Sequence, residues 1–263
     1  FFALFHDAAE APADGMWAQC QRMHDFFLRE MADNADIARH CRTGAEVDEA
    51  VAQGKVAALL SIEGADLIDC DVHKIETVAG WGVRLLNPVW NRANVLSGTN
   101  AEEPERGLSA EGEDFIRVLE AHDIYPDVSH LSDAGFWDLV HMARRPIIAS
   151  HSNARAVCPH RRNLTDDQFR AIRDLGGVVG LNLYLHFVGE PTMDALVAHV
   201  EHFLNLGGEK TLCLGGDMDG CAALAAGLSG MQDMPKLYDA LKARGYSDAL
   251  LEDIFWNNLR RLI

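Results

Sequence analysis

The chain predicts an α/β barrel, a (β/α)8 arrangement whose first strand lies outside the sequence. Seven apolar runs alternate with segments of helical period, and they end near Phe5, Ile62, Val89, Ser129, Ser150, Tyr184 and Gly216. The length, 263 residues, is close to the ~250 that such a barrel uses. Polar residues close nearly every run, and no GxGxxG follows the first one, so an open doubly wound sheet is the less economical alternative.

Phe1–Phe5 reads as a buried strand. Met16–Met31 follows as a helix whose Trp17, Cys20, Met23, Phe27 and Met31 recur every three or four residues, a core stripe. Glu46–Gln53 predicts a short helix, and Val56–Ile62 is apolar throughout, as in a parallel strand covered on both faces. A weak helical pattern at His73–Ala79 leads to the strand Val83–Val89 and a polar loop, Ala93–Gly107. Ser109 is the expected cap of the helix Ala110–Ala121. Tyr125–Ser129 and Pro146–Ser150 are strands closed by His130 and His151, with a helix over Ser132–Ala143 between them. Then come a helix over Asn163–Asp174 begun near Thr165, the strand VVGLNLY, a helix over Met193–Leu206, the strand Lys210–Gly216 and a helical end from Met234 to Ile263. The whole chain, 1–263, is expected to be a single domain.

Charge narrows the partners. Lys and Arg number 23 against 40 Asp and Glu, a formal charge of -17 that repels phosphate backbones and anionic lipids, so nucleic acid is not an expected partner. No run approaches the ~20 apolar residues of a membrane span, and no basic segment precedes the apolar start. The six cysteines form no CxxC pair, so buried thiols in a reducing, cytoplasmic setting are expected, with export left open because the chain begins at Phe1.

In a barrel the strand ends converge on one mouth, which brings Glu63, Asn87, His130, His151, Tyr184 and Asp217 to one face. Two neutral imidazoles with carboxylates suit zinc or a similar divalent ion. A pair of histidines closing consecutive strands, with an aspartate closing the last, is the order of metal-dependent amidohydrolase barrels. The remaining histidines lack such support and are read as surface or helix residues.

The runs SIEGAD, VRLLNPVWNRAN, DVSHLSDAGFWDL, ASHSNARAVCPHRRNLTD, GLNLY and GGDMDG resemble the membrane (renal) dipeptidases and their bacterial relatives, zinc metallopeptidases on a βα barrel. The resemblance spans essentially the whole chain. It implies two zinc ions, with Glu63 as the bridging carboxylate and His130 and His151 as ligands of the second ion. It also implies Asp217 as acid/base at a zinc-bridged hydroxide, Arg162 as the grip on the substrate carboxylate and Tyr184 in the substrate pocket; Asp219 is a less certain neighbour. Asn87 and Trp90 join the substrate-binding set, with packing as the alternative for Asn87. Trp90 stands where mammalian relatives carry a substrate-contacting histidine, which points to a bacterial branch. The family's first zinc also uses a His-x-Asp, and none occurs between Phe1 and Ile263, so those ligands are expected upstream.

The expected activity is hydrolysis of dipeptides with a free C-terminal carboxylate; no membrane segment is expected, and the family resemblance suggests a homodimer. Two alternatives stay open: another hydrolase of this barrel class acting on a cyclic amide or lactone, and a non-catalytic barrel without the first metal site.

Overall fold

In a computed structural model that describes Phe1–Ala225 and Gly227–Ile263, the chain divides into two units, Phe1–Arg145 with Ile263 and Pro146–Leu262. The first unit contains β1 (Phe2–Phe5), α1 (Met16–Asp33), β2 (Ala38–His40), α2 (Gly44–Ala52), β3 (Val56–Ala58) and β4 (Leu60–Glu63). It continues through α3 (Ile75–Trp81), β5 (Val83–Asn87), α4 (Ala110–Ala121), β6 (Tyr125–Pro126) and α5 (Asp133–Met142). Strands β1, β4, β5 and β6 form a parallel sheet in that order, in a register that sets Phe5 beside Glu63 and Glu63 beside Asn87.

Local chemistry explains where the helices begin. Thr43 accepts from the Glu46 amide while the Glu46 carboxylate accepts from the Thr43 amide, a reciprocal cap that starts α2. Ser109 and Ser132 cap α4 and α5 through the amides of Gly112 and Gly135. The stripe on α1 packs as its spacing predicts, with Cys20 and Phe27 buried and Trp17, Met23 and Met31 partly so.

The apolar run Val56–Ile62 does not form one strand. Its first part, β3, pairs with β2, and β4 pairs with β1 and β5. Leu59, between them, packs with Cys41, Val47 and Ala50 in a small cluster beneath α2. A uniformly apolar run carries no period to mark where it changes partner, and three-residue β2 is too short for alternation to announce it.

The second unit contains β7 (Ile148–Ala149), α6 (Asp166–Asp174), β8 (Val178–Asn182), α7 (Leu185–Val188) and α8 (Met193–Asn205). After them come β9 (Leu212–Gly216), α9 (Met234–Ala243), α10 (Asp248–Glu252) and α11 (Asn258–Arg260). Strands β7, β8 and β9 form a parallel sheet in that order, and β8 is buried along its whole length. Thr165 caps α6 with a reciprocal bond to Gln168. Glycines at two positions let strand backbones approach: a Cβ on Gly180 would lie 1.9 Å from the Ser150 carbonyl oxygen, and one on Gly215 would lie 2.2 Å from it.

The histidine strands are shorter than their apolar runs, β6 keeping only Tyr125–Pro126 and β7 only Ile148–Ala149, although the Asp127 amide still donates to the Leu86 carbonyl at 3.0 Å. All six cysteines are thiols; Cys20, Cys41 and Cys213 are buried and the other three partly exposed. Among the described residues no helix is long and apolar enough to cross a membrane.

Candidate metal and substrate site

Parallel strands all present their carboxyl ends on one edge of a sheet, so residues that end neighbouring strands meet although they are distant in sequence. In the first unit Glu63 ends β4, Asn87 ends β5 and His130 lies just beyond β6. His130 Nε2 is 3.0 Å from Glu63 Oε1, and its Nδ1 donates to Asn91 Oδ1 at 3.0 Å. With the ring neutral, that second contact places its proton on Nδ1 and leaves the Nε2 lone pair for a cation shared with the carboxylate. A buried imidazole nitrogen beside a carboxylate oxygen is a donor set that suits a divalent ion such as zinc.

The loop carrying His130 is fastened from several sides. Asn87 is buried and its Nδ2 donates to the Ser129 carbonyl at 3.0 Å, so the residue expected to touch substrate also secures the backbone before His130. The Asn100 amide donates to the His130 carbonyl at 3.1 Å. His130 itself takes φ 77°, a left-handed conformation that costs a non-glycine residue energy and is found where surroundings enforce it.

Trp90 packs its ring 4.7 Å from Phe5 and 6.1 Å from His130. With His6, Asp7, Asp66, Arg92 and Glu63 it lines a pocket in the first unit. Gly64, at φ 87°, lets the chain turn out of β4 beside Trp90. Burial pushes the Asp66 carboxyl upward, against the opposing hydrogen bond from Asn94.

In the second unit the buried His151 follows β7, with Nδ1 2.6 Å from Ser150 Oγ. Asp217 follows β9 at φ 59°, the second predicted site residue held in the left-handed region. Asn182, the last residue of β8, donates through Nδ2 to Asp217 Oδ2 at 3.1 Å. Its Oδ1 accepts from the Tyr184 amide at 2.6 Å, and its backbone exchanges two hydrogen bonds with the Asn153 side chain at 2.9 and 3.0 Å. Asn153 and Asn182 thus orient Asp217, and sequence reasoning overlooked both. The only signal was their place at strand ends in the runs SHSN and GLNLY. Asp219 is exposed.

Arg162 is buried in the loop after β7, its guanidinium carbon 5.3 Å from the centre of the Phe187 ring. Tyr184 meets the same ring edge-on at 4.9 Å. Two histidines read only as surface or helix residues are helical and also buried: His24 in α1 and His199 in α8. His199 accepts from the Ala154 amide at Nδ1 (3.2 Å) and donates from Nε2 to the Val188 carbonyl (3.1 Å), and burial pushes its pKa down to about 4. It is structural.

The sequence model of the membrane dipeptidase family, peptidase family M19, matches residues 1–263. An uncharacterized protein in the pqqA 5′ region of Klebsiella pneumoniae is 35% identical, with 96% of each chain covered. A metallopeptidase from Rhodobacter sphaeroides, solved with a phosphinate mimic of the dipeptide L-Ala-D-Ala, superposes with a TM-score of 0.87 at 31% identity. That match covers 94% of this chain and 74% of the other. The dipeptidase AC, a metallopeptidase of family M19, gives a TM-score of 0.86 at 31% identity, over 93% of this chain and 76% of its own. The fold class is therefore the α/β barrel of metal-dependent amidohydrolases, in agreement with the strand and helix alternation. The chain belongs to the membrane dipeptidase family, peptidase family M19, and is a bacterial-type metal-dependent dipeptidase.

Proposed function

We propose that the enzyme hydrolyses dipeptides carrying a free C-terminal carboxylate, with Glu63, His130 and His151 holding zinc and Asp217 moving the proton. The Glu63–His130 pair at 3.0 Å, on the carboxyl edge of a parallel sheet in a chain of this family, is the observation that carries the reading. Zinc is favoured by the imidazole and carboxylate donors, and two ions per chain by the family resemblance. When bound, such ions polarise the scissile carbonyl and lower the pKa of water towards neutrality.

The protein's own groups do the remaining work. Asn91 fixes the His130 ring, so Nε2 is offered as the ligand atom. Asn182 holds Asp217 Oδ2, and the Asp217 carboxylate takes the proton of the attacking water and returns it to the leaving amine. Arg162 receives the substrate carboxylate through a two-pronged contact that lysine cannot reproduce, and this restricts the enzyme to short peptides. Tyr184 and Trp90 flank the substrate, while Asn87 acts through the His130 loop. Residues 1–263 are read as a single barrel domain, supported by a family match over that whole span. A homodimer is expected, to be checked by mass in solution.

Because a relative binds a mimic of L-Ala-D-Ala, that dipeptide is the first substrate to try. Purified intact protein should contain about two zinc ions per chain, as a two-metal site requires, and should release alanine from it. Zinc-loaded protein that leaves the dipeptide intact but opens a cyclic amide or lactone would move the assignment to the other hydrolases of this barrel class.

A further inference from the structure

Phe187 lies outside every motif that carried the functional reading, yet its ring is where the substrate-binding residues of the second unit meet. The ring faces the Arg162 guanidinium at 5.3 Å, the edge-on Tyr184 ring at 4.9 Å and the His160 ring at 4.7 Å. The backbone holds this group together. Asn163, buried and next to Arg162, donates from Nδ2 to the Phe187 carbonyl and to the Cys158 carbonyl, each at 2.9 Å, so one amide pins the arginine loop to α7. The Arg162 amide donates to His160 Nδ1 at 3.2 Å. Burial and the neighbouring arginines hold the His160 pKa low, which keeps that nitrogen an acceptor.

A buried guanidinium over an aromatic face is held in position, because the ring's negative face attracts the cation. A two-pronged grip on a carboxylate depends on where that guanidinium sits. We infer that Phe187 is a positioning residue that holds Arg162 in place and, through it, sets the demand for a free C-terminal carboxylate. The inference rests on the reading of Arg162 as the carboxylate grip.

The test is a double-mutant cycle in steady-state kinetics on L-Ala-D-Ala, with the metal-loaded intact enzyme. Phe187→Leu should raise KM about tenfold with kcat within about twofold, the size expected for a desolvated cation–π contact. Phe187→Tyr, which keeps the ring, should retain the wild-type KM. Arg162→Met should raise KM further, and adding Phe187→Leu to it should change nothing more, because a residue acting only through Arg162 has no effect once the guanidinium is gone. A Phe187→Leu effect that persists in the Arg162→Met background, or that falls on kcat, overturns the inference. If Arg162→Met raises KM while Phe187→Leu leaves it unchanged, the inference fails alone. If Arg162→Met itself leaves KM unchanged, the carboxylate grip fails and the inference with it.

Discussion

Asp217 combines a left-handed backbone with a carboxylate oxygen held by Asn182, so both its position and its direction are set before substrate arrives. Asp217→Asn should therefore lower kcat by about 10²- to 10⁴-fold, the usual worth of a positioned acid/base, while zinc content by elemental analysis stays at the wild-type level. Wild-type turnover in that variant would remove Asp217 from the mechanism. Asn182→Ala should lower kcat less, because the carboxylate remains and only its orientation loosens. Glu63, His130, His151 and Asp217 stood out as candidates because each closes an apolar run, a position that sequence displays. Asn91, Asn182 and Phe187 did not, since an amide that orients a neighbour leaves the same local trace as one that faces water.

At the scale of elements, β8 shows how close packing and composition are linked. Gly180 leaves no room for a side chain: a Cβ would meet the Ser150 carbonyl oxygen at 1.9 Å and Gly215 Cα at 2.7 Å, both of them backbone atoms that cannot swing aside. Gly180→Ala should destabilise the protein by about 1–3 kcal/mol, read as a lower urea midpoint. His199 joins α8 to the loop after β7 and to the end of α7. Its pKa is about 4 in the fold against an ordinary 6.5, so the unfolded chain binds the proton more readily. The stabilisation is complete above pH ~6.5, where both states are neutral, and is lost as pH falls from there towards about 4. The loss amounts to roughly 3 kcal/mol at most. In His199→Gln that step in urea stability between those pH values should disappear; an unchanged profile would assign it to other groups. Helix starts at Ser109, Ser132 and Thr165 were legible because capping is local chemistry, whereas the division of Val56–Ile62 between two sheets was not.

For the whole molecule, the proposed metal site ties metal to stability, because its ligands come from separate strands and are assembled only in the folded chain. Removing the ion with a chelator should abolish turnover and lower Tm by roughly 5–15 °C, and added zinc should restore both; an unchanged Tm would argue against a tightly bound ion. The sequence by itself determined the barrel class and most helix positions, and it singled out the metal and proton-transfer candidates. These follow from periodicity, capping and strand-end placement, which neighbouring residues write into the chain. Only the tertiary structure decided that Asn182 steers Asp217, that Asn163 pins the arginine loop to α7, and that Arg162, Tyr184 and His160 share one phenyl ring. Such contacts join residues up to 35 positions apart through packing geometry, and no local pattern records which partner a side chain will meet.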